Sequence, residues 1–249
     1  MPMNWMNDNF VPVPAGYRGL WRRTLLEGNG LLTDTSSTVL WLQTTRWHAD
    51  LRLPTNRPDF AGIHGVAACD TTQRIWLASQ QGFSGVTEVL GDRCQWHHDC
   101  DFQPTTASRD IGTMTFHADG IGLDEYSIDA DYHETWQHMP DGLGPSAVWC
   151  GSASAPGRLL VAGDCFFLVR PRVRQLPPDA RLATMVLERP ECLDFELSYG
   201  KICGAETPWR ILHSTLPWRE GQSLSEDTWR CLDAEPGAVA PPSPAELGV

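Results

Sequence analysis

The chain has 249 residues, and its 19 Lys and Arg residues against 31 Asp and Glu residues give a formal net charge of −12 at pH 7. This charge argues against nucleic acid as the main partner and against docking on anionic lipid, because both need a basic face. Hydrophobic residues make up 41% of the chain and charged residues 20%, the balance of a chain that folds around a core. No run of about 18 apolar residues occurs, so the sequence predicts no membrane-spanning helix.

The start of the chain carries neither a basic segment nor an apolar one, so we predict no signal peptide and a cytoplasmic location. The eight cysteines are irregularly spaced and form no C-x-x-C pair, which argues against a zinc ribbon or a thioredoxin site. In the cytoplasm they are expected to be reduced thiols. The sequence also lacks a phosphate-binding P-loop and a dinucleotide-binding G-x-G-x-x-G motif.

The first elements in chain order are predicted to be strands. Residues 19–27 and 36–44 are rich in aromatic, aliphatic and β-branched residues. Residues 47–53 alternate between an apolar and a polar face, which is typical of a strand. The apolar face carries Trp47, Ala49, Leu51 and Leu53, and the polar face carries His48, Asp50 and Arg52.

Residues 70–81 are predicted to form the first of two short helices. Asp70 and Gln73 have the spacing of a capping box, in which each side chain bonds the backbone N–H of the other residue. Gly82 stands where a glycine often ends a helix. Residues 179–188 follow a Pro-Pro pair and are expected to form the second helix.

The remaining periodic segments alternate with clusters of Asn, Asp, Gly and Pro, the pattern of an antiparallel meander. We predict strands over 85–90, 93–103, 111–118, 122–128, 132–139, 146–152, 158–170, 192–199 and 209–214.

About ten short strands without a βαβ rhythm predict a mainly β protein: a single antiparallel β-barrel with two short helices. A barrel is preferred to a sandwich because several strands place polar and aromatic residues on the same face. Residues 1–15 are expected to be a flexible lead-in, 16–232 the barrel domain and 233–249 a proline-rich disordered tail.

Two segments also suggest a family. Residues 38–44, which contain W-L-Q-T, and residues 49–54, A-D-L-R-L-P, resemble bacterial relatives of the Hri1 family; residues 94–104 and 132–136 do so more loosely. The resemblance implies a lipocalin-like barrel with an internal cavity. By analogy it also favours small-molecule binding, and it implies no catalytic residues.

The segment 94–102 concentrates reactive side chains. On a regular strand, one face carries Cys94, Trp96, His98, Cys100 and Phe102, and we expect this face to line the barrel interior. Two thiols and an imidazole are ligands that zinc accepts, but three successive residues on one strand face bind one metal only if a bulge brings them together. A packed face with a pocket histidine is therefore the preferred interpretation.

The segment 132–139 holds the main candidate site. Tyr132, Glu134, Trp136 and His138 share one face, and the two aromatic side chains place that face inside the barrel. Its carboxylate must then be paired, or its pKa must rise, which makes Glu134 a candidate proton carrier or ligand anchor. The alternative is a structural ion pair, with Arg22 or Arg52 as the partner. His133 and His138 are one residue too far apart for an H-E-x-x-H zinc helix.

Our preferred function is a barrel that binds a small, mostly apolar or aromatic molecule, with no cofactor, no nucleic acid and no membrane as partner. The predicted ligand-binding residues are Trp96, His98, Tyr132, Trp136, Arg22 and Arg52.

Three alternatives stay open. A cofactor-free lyase, isomerase or hydratase would use Glu134 as base and His138 or His98 as acid. A non-covalent haem protein would use His98 or His138 as the iron ligand. An interaction protein would present its acidic face to a basic partner.

Overall fold

A computed structural model of the chain describes residues 11–28, 30, 32–153, 156–202, 208–224 and 229–242. Within these residues the fold is mainly β. The strands are β1 (Gly19–Gly28), β2 (Leu32–Asp34), β3 (Thr38–Gln43), β4 (Trp47–Leu53), β5 (Gln81–Leu90), β6 (Arg93–Asp101), β7 (Asp110–Phe116), β8 (Gly122–Ser127), β9 (Tyr132–Met139), β10 (Ser146–Cys150), β11 (Arg158–Ala162), β12 (Cys165–Arg170), β13 (Glu196–Lys201), β14 (Arg210–Ser214) and β15 (Arg230–Ala234). The α-helices are α1 (Thr71–Ala78) and α2 (Leu182–Met185). Short 3₁₀ turns span Ala15–Tyr17, Val66–Ala68, Pro140–Gly142, Pro190–Leu193 and Pro217–Arg219.

The first sheet is a closed antiparallel barrel of eight strands. Its order is β1, β3, β4, β5, β6, β7, β8, β9, and the pairing of β9 with β1 closes it. Strand β2 stands outside this ring and pairs only with the second half of β1. The predicted barrel and its two helices are thus confirmed. Closure leaves the eight strands without free edges, as in other up-and-down barrels.

The second sheet has six antiparallel strands in the order β14, β13, β12, β11, β10, β15. The single strand predicted over 158–170 is wrong, since a turn with a left-handed Gly163 divides it into β11 and β12. The barrel itself therefore uses only residues 19–139 of the predicted 16–232 barrel domain, and the strands from Ser146 to Ala234 form this second sheet.

The two sheets share one hydrophobic core. Leu40 and Leu51, on the outer face of the barrel wall, belong to the same buried cluster as Leu160, Phe167 and Leu197 of the second sheet. The apolar face of β4 thus points away from the barrel interior. Its polar face points inward, which is why both faces of this strand are buried.

Four tryptophans fill the lower part of the barrel interior, which is the end where β1 begins and β9 ends. Trp21 stacks on Trp41 with a ring-centroid distance of 6.1 Å, while Trp96 and Trp136 meet Trp41 edge-on at 5.6 and 5.8 Å. Tyr17, in the segment before β1, belongs to the same cluster and helps to close this end of the barrel. The opposite end carries the polar groups described below.

The segments outside the strands differ from the sequence predictions in several details. The capping box of Asp70 and Gln73 is confirmed, but α1 ends at Ala78 because β5 begins at Gln81. Val13, within the predicted flexible lead-in, is buried, and its N–H donates to the Thr45 carbonyl. The predicted start of the tail at residue 233 is too early, since β15 runs to Ala234. Residues 1–10 and 243–249 lie outside the described residues.

No helix in the described part of the chain is both long and apolar enough to cross a membrane.

Candidate functional site

A buried ion cluster stands at the upper end of the barrel, centred on Glu134. The side chain is 1% exposed, and its Oε1 accepts hydrogen bonds from Arg23 at 2.6 Å and from Arg52 at 3.1 Å. Arg52 also donates to Asp50, and Arg23 donates to Asp34. The predicted inward orientation of Glu134 is confirmed, and the ion pair that the sequence offered as the alternative is present with Arg52.

Arg22, the other predicted partner, does not take part because its side chain is exposed on the outside of the barrel. Trp21 faces inward on β1, so the next inward position is Arg23. The inward Arg23 lies opposite Trp136 in the ladder of β1 and β9. The prediction of Arg22 is therefore wrong by one residue, since the arginine of β1 that contacts Glu134 is Arg23.

A β-bulge interrupts the predicted face of β6. Gly85 pairs with His98 and Ser84 with Cys100, so Asp99 is the extra residue. Gly85 is required there, because a Cβ at this position would collide with the backbone carbonyl of His97.

The bulge moves the residues that follow His98 to the opposite face. Cys94 and Trp96 pack inside the barrel, whereas Cys100 and Phe102 pack in the core shared with the second sheet. The predicted common face of these residues is therefore wrong beyond His98, and Cys94 and Cys100 lie on opposite sides of the barrel wall. Among the described residues, no group of three His, Cys, Asp or Glu side chains is placed to hold a metal ion.

Both ring nitrogens of His98 are engaged by carboxylates. Nδ1 lies 2.7 Å from Asp101 and Nε2 lies 3.0 Å from Asp110. Burial lowers the pKa of His98, but the hydrogen bonds to Asp101 and Asp110 outweigh it and raise this pKa to about 9. The ring is thus an imidazolium at neutral pH, and it stacks on Phe83 at 3.9 Å. A cation with both nitrogens protonated cannot ligate haem iron.

His138 lies at the opposite end of the barrel from the ion cluster. It stacks on Trp21 at 4.2 Å, and burial lowers its pKa. Four residues along β9 separate it from Glu134, which corresponds to about 13 Å. The structure therefore does not bring the predicted base and acid together.

A second carboxyl group stands directly opposite Glu134 in the ladder of β8 and β9. Glu125 is 3% exposed, and its Oε2 accepts a hydrogen bond from Trp136 Nε1 at 3.1 Å. Burial, reinforced by the charges of Glu134 and Asp110, raises the pKa of Glu125 well above its usual range. The barrel thus holds two buried glutamates opposite each other, of which Glu134 is paired with two arginines and Glu125 with Trp136.

Open space inside the barrel lies at its upper end, which we call the mouth. Its cavity measures about 350 Å³ and is bounded by the upper ends of six barrel strands. The lining residues are Leu26, Arg52, Gln81, Gly82, Phe83, His98, Asp101, Gln103, Asp110, Tyr132 and Glu134. A second cavity of about 170 Å³ shares Leu26, Arg52 and Gln81 with it.

The space below the mouth is almost filled. A void of only about 10 Å³ lies between Trp41, Trp96, Trp136 and the acidic groups Asp50 and Glu125. Trp96 and Trp136 therefore face the interior, as predicted, but they support the floor and do not line the mouth cavity. Of the predicted site residues, Arg52, His98, Tyr132 and Glu134 line it.

Comparison with known proteins identifies the fold alone. No family model matches the sequence, and no curated protein matches it significantly. Among solved structures, the fold is similar to that of the uncharacterized protein YLR301w from Saccharomyces cerevisiae. The TM-score is 0.53 at 12% sequence identity, and the match covers 87% of this chain and 98% of the yeast chain.

The residues around the mouth that sequence reasoning missed include Arg23, Asp50, Phe83, Asp110 and Glu125. Two of them carried a usable signal. Arg23 follows Trp21 at the period of a strand, and Asp50 lies on the same strand face as Arg52. The other three depend on long-range pairing of β5, β7 and β8, which a single sequence does not display.

Proposed function

We propose that this protein binds a small molecule in the mouth of its barrel. The observation that carries the proposal is the contrast between the two parts of the interior. The mouth leaves about 350 Å³ open and is lined by converging polar and aromatic side chains, whereas the space beneath it is packed with tryptophan. A concave site of this size with few, fixed polar groups is typical of ligand pockets.

The lining favours an aromatic ligand that carries polar groups. Phe83, Tyr132 and Leu26 offer apolar contact, and Arg52, His98 and Glu134 surround them with charge. The charged groups are held in place by ion pairs, so they are preorganised to orient a ligand. A wholly apolar ligand would leave these groups without water, which is unfavourable. The ligand proposed here is therefore more polar than the sequence suggested.

The resemblance to the Hri1 family and to lipocalin-like barrels supports the same proposal, because such barrels enclose ligand sites. We further propose a cytoplasmic location, as the sequence suggested. The acid–base and haem alternatives receive less support, since His138 lies about 13 Å from Glu134 along β9 and both nitrogens of His98 are occupied.

The proposal can be tested with a library of small aromatic compounds and ligand-observed NMR. Gln81 is exposed at the rim of both cavities, so Gln81→Trp should fill the mouth without disturbing the core. Glu88→Trp, further along the same strand and also exposed, is the matched control.

We expect compounds that bind the unmodified protein and the Glu88→Trp variant to lose binding to the Gln81→Trp variant. At a concentration 100 times its Kd, such a compound should stabilise the folded protein by about 2.7 kcal/mol. A library without hits, or hits that bind all three proteins equally, would contradict a ligand site in the mouth.

A further inference from the structure

One oxygen of the central carboxylate has no partner. Glu134 Oε1 accepts both arginine hydrogen bonds, whereas Oε2 is buried and unpartnered among the described residues. Glu134 borders the mouth cavity, and Oε2 is a covered acceptor of that carboxylate without a donor among the described residues. Buried acceptors are nearly always paired, so an unpaired one beside a cavity indicates a missing donor.

The charge of the surrounding groups determines which donor fits. The cavity lining carries three carboxylates, Asp101, Asp110 and Glu134, and two cationic groups, Arg52 and His98. Next to the lining, Arg23 pairs with Asp34 as well as with Glu134, and Arg52 pairs with Asp50. The mouth thus has an excess of negative charge, which favours a cation and opposes an anion.

We propose that the ligand of the mouth is a small aromatic cation, such as an amidinium or an ammonium, whose N–H group donates to the carboxylate of Glu134. This inference rests on the proposed function and specifies its ligand class. The aromatic part lies against Phe83 and Tyr132, which line the same cavity. The cationic N–H group gives the carboxylate a charge-assisted hydrogen bond, which is stronger than one between neutral groups.

Three probes of nearly equal shape test this inference: benzamidinium, benzamide and benzoate, which are cationic, neutral and anionic. Their affinities for the full chain are measured by ligand-observed NMR and isothermal titration calorimetry. We expect benzamidinium to bind at least about 10-fold more tightly than benzamide, and benzoate to bind most weakly.

Two variants locate the effect. Glu134→Gln removes the charge and keeps the shape, and it should weaken benzamidinium binding by about 10- to 100-fold. Asp110→Asn leaves the arginine pairs of Glu134 intact, so it serves if the first variant fails to fold, and it should weaken benzamidinium binding several-fold. Glu88→Gln, exposed on the outer wall, should leave the affinity unchanged.

The outcomes separate this inference from the proposed function. Equal binding of benzamidinium and benzamide, or preferred binding of benzoate, would refute the cation preference and leave a mouth ligand of another class. Benzamidinium binding that is unaffected by both Glu134→Gln and Asp110→Asn would also refute it. If none of the three probes binds but the wider library gives hits that Gln81→Trp abolishes, the proposed function stands and this inference is wrong.

Discussion

His98 makes the stability of the protein depend on pH. Its imidazolium ring is held between Asp101 and Asp110, and these hydrogen bonds raise its pKa from 6.5 to about 9. A group with a raised pKa stabilises the folded state fully below its unfolded pKa, and this contribution is lost as the pH rises through the folded pKa. The relevant window therefore runs from about pH 6.5 to about pH 9.

The size of the effect follows from the same two values. Within the window the folded protein holds one proton more than the unfolded chain, so the free energy of unfolding falls by about 1.4 kcal/mol per pH unit. Across the window the loss amounts to roughly 3 kcal/mol. This figure is an upper bound, because the ring is still 22% exposed and water screens part of the interaction.

Urea denaturation of the unmodified protein and of His98→Gln at pH 6, 7.5 and 9 measures this contribution. The variant should be less stable than the unmodified protein at pH 6, and the difference between them should shrink as the pH rises. His97→Gln, one residue earlier on the same strand and beside Glu88, is the control and should keep the pH dependence of the unmodified protein. A stability difference between His98→Gln and the unmodified protein that is constant from pH 6 to 9 would refute the reasoning.

Three further predictions concern stability and are checked by the same denaturation assay. Arg23→Ala should lower the free energy of unfolding by about 3 to 5 kcal/mol, because it leaves a buried carboxylate short of one partner. Arg22→Ala should change it by less than about 0.5 kcal/mol, because Arg22 is exposed. Similar losses for both variants would contradict the orientation of β1. Gly85→Ala should cost at least about 2 kcal/mol through the collision at the bulge, and Gly65→Ala, in open space, should be nearly neutral; a neutral Gly85→Ala would argue against the bulge. Asp70→Ala should cost about 1 kcal/mol through loss of the helix cap, and no loss would count against the capping box.

The regular parts of the strands were predictable from the sequence. The alternation over β9 placed Glu134 and Trp136 inside the barrel, and the structure buries both to 1% exposure. Strand periodicity has this power because side chains on one strand alternate strictly between two faces. Arg52 was one of two partners that the sequence offered for Glu134, and the structure selects it.

The irregular parts were not predictable. The bulge at Asp99 reverses the faces of Cys100 and Phe102, and it depends on how β6 meets β5 across the ladder. No local pattern in the amino-acid sequence predicts such a long-range pairing.

The apolar face of β4 points away from the barrel interior. An apolar strand face indicates burial, but it does not say against what. Here Leu51 is buried against the second sheet, while Asp50 and Arg52 on the polar face point into the barrel. In a barrel covered by another layer, the polar side of a strand can be the functional interior.

The core shared by the two sheets has a consequence for the order in which the chain is synthesised. The barrel strands, up to Met139, leave the ribosome before the second sheet exists. Until residues 146–214 follow, Leu40, Leu42 and Leu51 on the outer wall have no cover, although they are fully or almost fully buried in the finished protein. The nascent barrel thus exposes an aggregation-prone apolar surface until the second sheet has been synthesised. Chaperones act on intermediates of this kind.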